Sequence, residues 1–373
     1  MNPDPTPANS SSTLSVVVPT YRESANVPVL FERIKAALDG LPWEMIVVDD
    51  DSPDGTADIA FAIAASDPRM RCLRRVNRTG LAGAVIEGWM ASSADYVAVI
   101  DGDLQHDETI LPEMYRLLET GEGDLAVGTR VHDGSENGLS PTRQKLSDLG
   151  KWFFNRIAGA PVTDPMSGFF MIRRKIVSRL APRLSPDGFK ILVDVVLSVA
   201  GELRVVEAPY KFRKRTAGES KLTPLVGLDF LGLVVHHATG GVLPVRFVLF
   251  ALIGLVGLAV HILVLSIYRA SLGPADFQTG QVVATVVAMG SNFLLNNEIT
   301  YRTHRYRGLA MAGGFLAFAL ACGVGALPNI DVASWLYSEH QTWWLSGLSG
   351  ALLSVVWNYA ISSTLIWRPR RRG

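Results

Sequence analysis

The sequence is poor in cysteine. Cys72 and Cys322 are the only two in 373 residues, and no metal-binding spacing relates them. A disulfide framework or a zinc site is therefore not expected. The sequence also lacks an excess of either charge, since 35 basic residues balance 35 acidic ones. Proteins dedicated to nucleic-acid binding usually carry a basic excess, so nucleic acid is not expected as a partner.

Residues 1–13 lack the apolar core that a secretory signal needs, because they are polar and rich in proline. We interpret them as a disordered leader. The domain that follows is then expected to fold in the cytoplasm.

Charged residues become scarce after Pro244. Residues 245–373 hold four acidic and nine basic residues, and every basic one is an arginine. Four stretches there contain no Asp, Glu, Lys or Arg, and each has the roughly 20 residues that span the hydrocarbon core of a bilayer. We therefore predict an all-α transmembrane domain over 245–373 with four spans, at about 247–268, 278–297, 308–327 and 345–367.

The arginines predict how these spans are oriented. Arg302, Arg305 and Arg307 follow the second span, and 368–372 carries four more after the last span. The positive-inside rule places both segments in the cytoplasm. Because four spans return the chain to its starting side, the domain before Pro244 is expected in the cytoplasm as well.

The ends of the second and fourth spans resemble each other. Residues 291–302 and 357–368 each contain an asparagine followed by an aromatic residue, and each closes on an aromatic–arginine pair. Two readings stay open. Either the spans arose by duplication of a two-span unit, or these are ordinary anchors at the membrane surface.

Residues 222–244 are apolar but contain Asp229, His236 and His237 and several glycines. A fifth span is one reading. The charges and the four-span topology favour amphipathic helices that lie in the membrane interface, with both histidines at the level of the lipid headgroups.

Short β-branched runs alternate with helical patterns in the first part of the chain. This alternation predicts an α/β domain with a mostly parallel sheet, and such sheets bind ligands at the carboxyl ends of their strands. The predicted strands are 14–18, 45–48 and 96–100, and the predicted helices are 26–38, 56–65 and 82–91.

Acidic residues follow two of these strands, at Asp49–Asp51 and at Asp101-x-Asp103. Carboxylates gathered at strand ends repel one another unless a cation neutralises them, and hard oxygen ligands suit Mg²⁺ or Mn²⁺. We therefore favour a metal site at Asp101-x-Asp103, with His106 lining the site. For Asp54 and Thr56, which precede a predicted helix, we favour helix capping.

Several motifs occur together and in order. They are Pro19-Thr20-Tyr21-x-Glu23, Val47-Val48-Asp49-Asp50-x-Ser52-x-Asp54-Gly55-Thr56, Asp101-x-Asp103-Leu104-Gln105-His106, Gly128-x-Arg130, Arg143-x-x-x-Ser147 with Ser167-Gly168-Phe169, and Phe212-x-x-Arg215-x-x-Gly218-x-Ser220-Lys221. Over residues 14–225 the chain thus resembles the inverting family-2 glycosyltransferases of GT-A fold, and among them the polyprenyl-phosphate sugar transferases typified by dolichyl-phosphate mannose synthase. The tail resembles GtrA-like four-span domains. The implied domains are a leader (1–13), a GT-A catalytic domain (14–221), interfacial helices (222–244) and the transmembrane domain (245–373).

The resemblance also implies roles for single residues. Those expected to bind the nucleotide sugar are Pro19, Tyr21, Glu23, Val48, Asp50, Asp101, Asp103, Gln105, Arg215 and Lys221. Asp103 and Gln105 would hold Mg²⁺ or Mn²⁺. Those expected to bind the acceptor phosphate are Arg130, Arg143 and Ser147, with Gln144 and Lys145 as alternatives to Arg143. The set implied to carry catalysis is Asp101, Asp103, Arg130, Arg143, Arg215 and Lys221.

The residue types suit a phosphate acceptor. A hydroxyl acceptor needs a general base, whereas a polyprenyl phosphate is already anionic and needs cations beside it. Arginine binds phosphate with a rigid fork and stays charged. The metal and Lys221 would stabilise the leaving diphosphate, and direct in-line attack would invert the anomeric centre.

Three alternatives differ from this hypothesis. A processive polysaccharide synthase is disfavoured, because the sequence has no Q-x-x-R-W string. A lipid-linked sugar flippase with a regulatory soluble domain is disfavoured, because only His261 and Glu298 are ionisable within or beside the spans. UDP-glucose remains the alternative donor. The strings at 50–56 and 80–84 look more like those of mannose enzymes, so GDP-mannose is the predicted donor.

Overall fold

A computed structural model describes residues 13–368 apart from 79, 132–153, 160–161, 186–189, 200, 214–224, 241, 273–276 and 339–342. The chain divides into two compact units, Met1–Ala238 and Thr239–Gly373. The division lies within the predicted interfacial region 222–244 and assigns its first part to the first unit.

The first unit contains a seven-stranded sheet in the order β3-β2-β1-β4-β6-β5-β7. Its strands are Leu14–Thr20 (β1), Trp43–Asp49 (β2), Met70–Arg74 (β3), Tyr96–Val99 (β4), Leu125–Val131 (β5), Phe170–Arg173 (β6) and Val205–Lys211 (β7). β6 runs antiparallel to both of its neighbours, and the other pairs are parallel. The predicted mostly parallel α/β fold is confirmed.

The helices of the first unit alternate with these strands. They are Asn26–Ala37 (α1), Thr56–Ser66 (α2), Leu81–Ala91 (α3), Leu111–Glu119 (α4), Arg174–Leu180 (α5), Ile191–Val199 (α6) and Leu225–Ala238 (α7), with 3₁₀ turns at Glu108–Ile110 and Ala181–Arg183. The bounds of α1, α2 and α3 each agree to within one residue with the three helices that the sequence predicts.

A core cluster lies where α1 and α4 pack on the sheet, and α3 packs on Val17 of β1 and Val48 of β2. β1 and β2 are almost wholly buried, which is why they read as continuous apolar runs. A side chain at Gly88 of α3 would clash with Val17 and lie 3.0 Å from Cγ2 of Val48. The absence of a side chain at Gly88 therefore lets α3 pack closely against both β1 and β2.

Sequence reasoning misses four of the seven strands, namely β5, β6 and β7 as well as the edge strand β3. Only Met70 of this edge strand is buried, and Arg71 and Arg74 interrupt its apolar residues. The pattern that marks a buried parallel strand is therefore absent, and pairing with β2 forms the strand instead.

Helix α7 packs on the first unit. Its Leu233 and Val234 are buried. Nε2 of His237 lies 2.9 Å from Oδ1 of Asp194, a buried carboxylate on α6. This polar contact joins α7 to α6, and the headgroup-level placement of His237 stays a prediction.

The second unit is helical. Its helices are Val245–Leu272 (α8), Phe277–Leu295 (α9), Ala310–Ser338 (α10) and Trp343–Ile361 (α11), with π-helical turns at Asn296–Thr300 and Ser362–Ile366 and a 3₁₀ turn at Arg302–His304. Within the described part of the chain, one helical stretch, Val245–Ser271, is long and apolar enough to cross a membrane, with a mean hydropathy of 2.8. Leu255, Leu258 and Ile262 are more than half exposed along it, as expected of a lipid-facing surface.

The helix pairs α8–α9 and α10–α11 end in the same kind of turn. Each π-helical turn closes on an aromatic residue whose backbone N–H donates to the first carbonyl of that turn, Tyr301 to Asn296 and Trp367 to Ser362. The two rings stack with centroids 4.4 Å apart and planes 4° apart. Equivalent residues at the ends of both pairs share one unusual backbone geometry, which favours duplication of a two-helix unit over independent surface anchors.

Candidate active site

The loops after β1 and β2 are joined at the carboxyl edge of the sheet. Thr20 and Asp49 lie opposite each other in register, and Oγ1 of Thr20 donates to Oδ1 of Asp49 at 2.9 Å. Asp49 also accepts from the backbone N–H of Ser52 at 2.8 Å and is fully buried. Its carboxylate therefore shapes the loop, so this member of the acidic cluster is not placed to bind a ligand.

Side chains of the loop after β2 and of the start of α2 accept hydrogen bonds from the backbone of the loop after β1. Oγ of Ser52 accepts from the backbone N–H of Arg22 at 3.0 Å, and Oγ1 of Thr56 accepts from that of Glu23 at 3.0 Å. Asp54 accepts from the hydroxyl of Thr56 at 2.6 Å and from its N–H at 3.3 Å, so it orders the turn before α2. The predicted capping role is wrong, because the N-cap is Gly55 and no side chain among the described residues caps the helix. These bonds present the ring of Tyr21 to solvent, 40% exposed, beside the half-buried Pro19.

Asp50 is held by partners that the sequence did not predict. Its carboxylate accepts from Nη1 of Arg75 and, at 2.7 Å, from the N–H of Gly80. Arg75 is itself buried and also donates to Glu87 at 3.2 Å. Burial raises the pKa of Asp50, against the effect of Gly80 and Arg75. Val48 is fully buried beneath α3, so any contact it makes with a nucleotide must come from its backbone.

The loop after β4 is strained and closely packed. Leu104 has a φ of 63° although it is not glycine, and strain of this kind is typical of functional loops. Oδ1 of Asp103 accepts from the N–H of Gln105 at 3.2 Å. A side chain at Gly168 would lie 2.5 Å from Oδ2 of Asp101, so glycine lets the backbone of the Ser167–Phe169 segment approach this carboxylate.

His106 lies buried beneath Asp101. Its Nε2 is 3.1 Å from Oδ2 of Asp101, and its Nδ1 is 2.5 Å from the hydroxyl of Tyr210. A carboxylate can only accept, so the Nε2–H donates to Asp101, and in the neutral tautomer this defines, Nδ1 accepts from the Tyr210 hydroxyl. Burial raises the pKa of Tyr210, which keeps that hydroxyl protonated. His106 therefore holds the carboxylate of Asp101 in place by a hydrogen bond, and its own ring packs against the rings of Phe169 and Phe212.

Arg130 is on β5, the strand that pairs with β7, which carries Tyr210. It lies opposite Tyr210 in the β5–β7 register, and its guanidinium carbon is 5.4 Å from the ring centroid of Phe212. Its Nε and Nη2 donate to both oxygens of Asp164, at 2.6 and 2.9 Å. The predicted acceptor-phosphate residue is thus oriented by a carboxylate that the sequence did not single out.

The structure brings together part of the predicted site. Asp101, Asp103, Gln105 and Arg130 meet around the His106–Tyr210 pair, and Tyr21 and Asp50 lie at the ends of neighbouring strands. Pro19, Glu23 and Val48 lie on or just beyond the same strands, whereas Arg143, Ser147, Arg215 and Lys221, with the alternatives Gln144 and Lys145, lie outside the described residues.

Sequence reasoning missed the partners that fix these groups, namely Arg75, Asp164, Tyr210 and Arg213. They come from three regions of the chain, since Tyr210 and Arg213 are neighbours, and none carries a spacing signal.

The oxygens of Asp103 and Gln105 fit a hard divalent cation. No cluster of three or more His, Cys, Asp or Glu side chains suited to a metal is found within the described residues. A site with few protein ligands is what Mg²⁺ and similar cations use when substrate phosphates complete the coordination. The donor set therefore matches a metal that arrives with a diphosphate.

Two family models match the chain. "Glycosyl transferase family 2" matches residues 15–181, and "GtrA/DPMS, transmembrane domain" matches residues 249–367. The second match identifies the helical second unit as a membrane domain.

Curated relatives match over long stretches. A dolichol-phosphate mannosyltransferase of Pyrococcus furiosus is 33% identical over 358 residues, which are 95% of this chain and 99% of the relative. An undecaprenyl-phosphate mannosyltransferase of Micrococcus luteus is 32% identical over 215 residues, 56% of this chain and 86% of the relative. Among solved structures, glucosyl-3-phosphoglycerate synthase of Mycobacterium tuberculosis, crystallised with Mn²⁺, UDP and phosphoglyceric acid, is 20% identical over 61% of this chain and 79% of that chain, with a TM-score of 0.48.

Proposed function

The chain belongs to the dolichol-phosphate mannosyltransferase family of family-2 glycosyltransferases, and from this premise we propose that it transfers mannose from GDP-mannose to a polyprenyl phosphate at the cytoplasmic face of a membrane. Synthesis of a polyprenyl-phosphate mannose follows from membership of the family. The guanine nucleotide, the divalent metal, the residue roles and the cytoplasmic orientation are what we propose.

One observation carries the proposal. The Asp101–Gln105 loop, suited to a metal and a diphosphate, is connected to Arg130, a cation suited to an anionic acceptor. The connection runs from Asp101 through His106 to Tyr210, which lies opposite Arg130 in the sheet. A donor diphosphate and an acceptor phosphate would repel each other. The cation at the Asp101–Gln105 loop would neutralise the diphosphate, and the guanidinium of Arg130 would neutralise the acceptor phosphate.

The same geometry favours a phosphate acceptor over a hydroxyl. A hydroxyl would need a base, and the imidazole of His106 is buried with both nitrogens engaged by Asp101 and Tyr210. Arg130, held by Asp164 and Phe212, would instead orient an oxygen that already carries negative charge. Attack by that oxygen on the anomeric carbon, opposite the leaving diphosphate, inverts the centre.

Asp103 and Gln105 would hold the divalent cation, Mg²⁺ or Mn²⁺, together with the diphosphate. When bound, the cation supplies neutralisation of the charge that develops on the leaving diphosphate. Asp101, held by His106, would position the donor beside it. Tyr21 and the Asp50–Arg75 pair would bind the nucleoside at the ends of β1 and β2.

We also propose the predicted four-span topology with both tails in the cytoplasm. The chain is a membrane protein by its matched transmembrane domain. The stack of Tyr301 on Trp367 supports placing the ends of the second and fourth spans on one side, because the two rings are in contact. Arg302 and Arg368 follow these rings directly, which places the arginine-rich segments on the same side, as the positive-inside rule requires.

Donor screening tests the proposed nucleotide sugar. The purified full chain is given polyprenyl phosphate, Mg²⁺ or Mn²⁺, and either labelled GDP-mannose or labelled UDP-glucose, with a parallel reaction that lacks the lipid. We expect lipid-linked label from GDP-mannose at least about tenfold above that from UDP-glucose, since a site that bonds one donor's base and sugar hydroxyls rejects another. Lipid-linked product from UDP-glucose alone would overturn the mannose assignment.

A further inference from the structure

We infer that Arg213 is a positioning residue that sets the metal-binding loop and turns the amide oxygen of Gln105 toward the cation. The inference rests on the proposed role of Gln105 as a metal ligand. Arg213 lies just beyond β7 and belongs to none of the positions that the motifs assign.

The backbone of Arg213 is paired with Gln105. The N–H of Arg213 donates to the carbonyl oxygen of Gln105 at 2.9 Å, and Nε2 of Gln105 donates to the carbonyl oxygen of Arg213 at 3.3 Å. The amide of glutamine is planar, with its nitrogen and oxygen on opposite sides. Engaging the nitrogen therefore directs Oε1 away from β7 and frees it to bind a cation.

The guanidinium of Arg213 holds the next three residues of the loop. Nη1 donates to Oε2 of Glu108 at 2.6 Å and to the carbonyl oxygen of His106 at 3.2 Å, and Nη2 donates to Oδ1 of Asp107 at 2.8 Å. Every residue from Gln105 to Glu108 is thus bonded to Arg213. We call this set of bonds the Arg213 latch.

The latch differs from an ordinary surface ion pair. Exposed pairs contribute little, because water competes and two flexible side chains must be ordered. Here Glu108 is buried, 5% exposed, and the planar fork of arginine reaches three acceptors at fixed angles. Residues that orient metal ligands in this way commonly change metal affinity or activity by about 10–100-fold when they are replaced.

The chain supplies a matched control at the opposite end of β7. The guanidinium of Arg204 forks onto both oxygens of Asp124, at 3.0 and 3.1 Å, and its Nη1 donates to the carbonyl oxygen of Gly121 at 2.7 Å. It has the same three-acceptor pattern but no contact with the Asp101–Gln105 loop among the described hydrogen bonds. Arg204→Lys therefore reports what loss of such a fork does to the fold alone.

The test compares Arg213→Lys with Arg204→Lys in the full chain. Lysine keeps the charge but not the fork, so each variant is expected to fold. Mn²⁺ binding is measured by electron paramagnetic resonance with GDP present and no acceptor, and again with UDP. We expect Arg213→Lys to weaken Mn²⁺ binding about tenfold and to raise the metal concentration for half-maximal transfer by the same factor, while Arg204→Lys leaves both unchanged.

Thermal unfolding and the KM for polyprenyl phosphate complete the test. Both variants should unfold within a few degrees of the native chain, and neither should change the lipid KM. The inference is wrong if Arg213→Lys binds Mn²⁺ as tightly as Arg204→Lys does, or if it lowers only thermal stability. Failure of the proposed function looks different, because the native chain would then bind Mn²⁺ with a nucleotide but make no lipid-linked mannose.

Discussion

Asp103→Ala should lower mannose transfer about 1,000-fold while leaving the fold intact. Asp103 supplies the carboxylate that would hold the cation, and loss of one group that stabilises developing charge typically costs about 10²–10³ in turnover. The residue lies on a half-buried loop rather than in the core, so the effect on the free energy of unfolding should stay within about 1 kcal/mol.

The measurement is initial-rate transfer together with thermal unfolding of the same preparation. Asp39→Ala is the matched control, because that carboxylate is exposed in the turn beyond α1. It should leave the rate unchanged. Transfer by Asp103→Ala at more than about a tenth of the native rate would remove Asp103 from the metal site, since a lost ligand costs more than that.

Arg130→Lys should lower kcat/KM for polyprenyl phosphate about 100-fold, with a much smaller effect on the KM for GDP-mannose. An arginine can bind Asp164 through one edge of its guanidinium and a phosphate through other donors, whereas a lysine presents a single point charge. Lysine is chosen over alanine because removing the cation would leave Asp164 largely buried and unpaired, which is strongly destabilising.

Steady-state kinetics with each substrate varied in turn separates the two KM values. Arg71→Lys is the control, since Arg71 pairs with Glu44 on the opposite side of the sheet. An equal loss for both substrates would mean that Arg130 acts through the fold. A loss confined to the donor would place the guanidinium at the leaving diphosphate.

The three strands β1, β2 and β4 could be predicted because nearly all of their residues are buried. β1, β2 and β4 are buried on both faces, so each reads as an apolar run that stops at a polar cluster. The antiparallel β6 and the edge strand β3 could not be predicted, since their placement depends on neighbours that are distant in the sequence. The repeat of the membrane unit was visible as a motif, but the contact of Tyr301 with Trp367 required the fold.

The site divides in the same way. Residues that would touch substrate, such as Asp103 and Arg130, stand in recognisable motifs. The residues that hold them do not, because Asp164 and Arg213 gain their roles only through the pairing of β5 with β7 and the packing of the Asp101–Glu108 loop beside it. Positioning residues depend on contacts across the sheet, and one sequence does not record those contacts.

The proposed chemistry depends on an acceptor that already carries charge. Purified full chain is therefore incubated with labelled GDP-mannose and a divalent cation, with either polyprenyl phosphate or the neutral polyprenol of the same chain length. The proposal predicts lipid-linked mannose from the phosphate and none above background from the alcohol. Transfer to the alcohol at a comparable rate would contradict it, because the enzyme would then need a base to remove the hydroxyl proton.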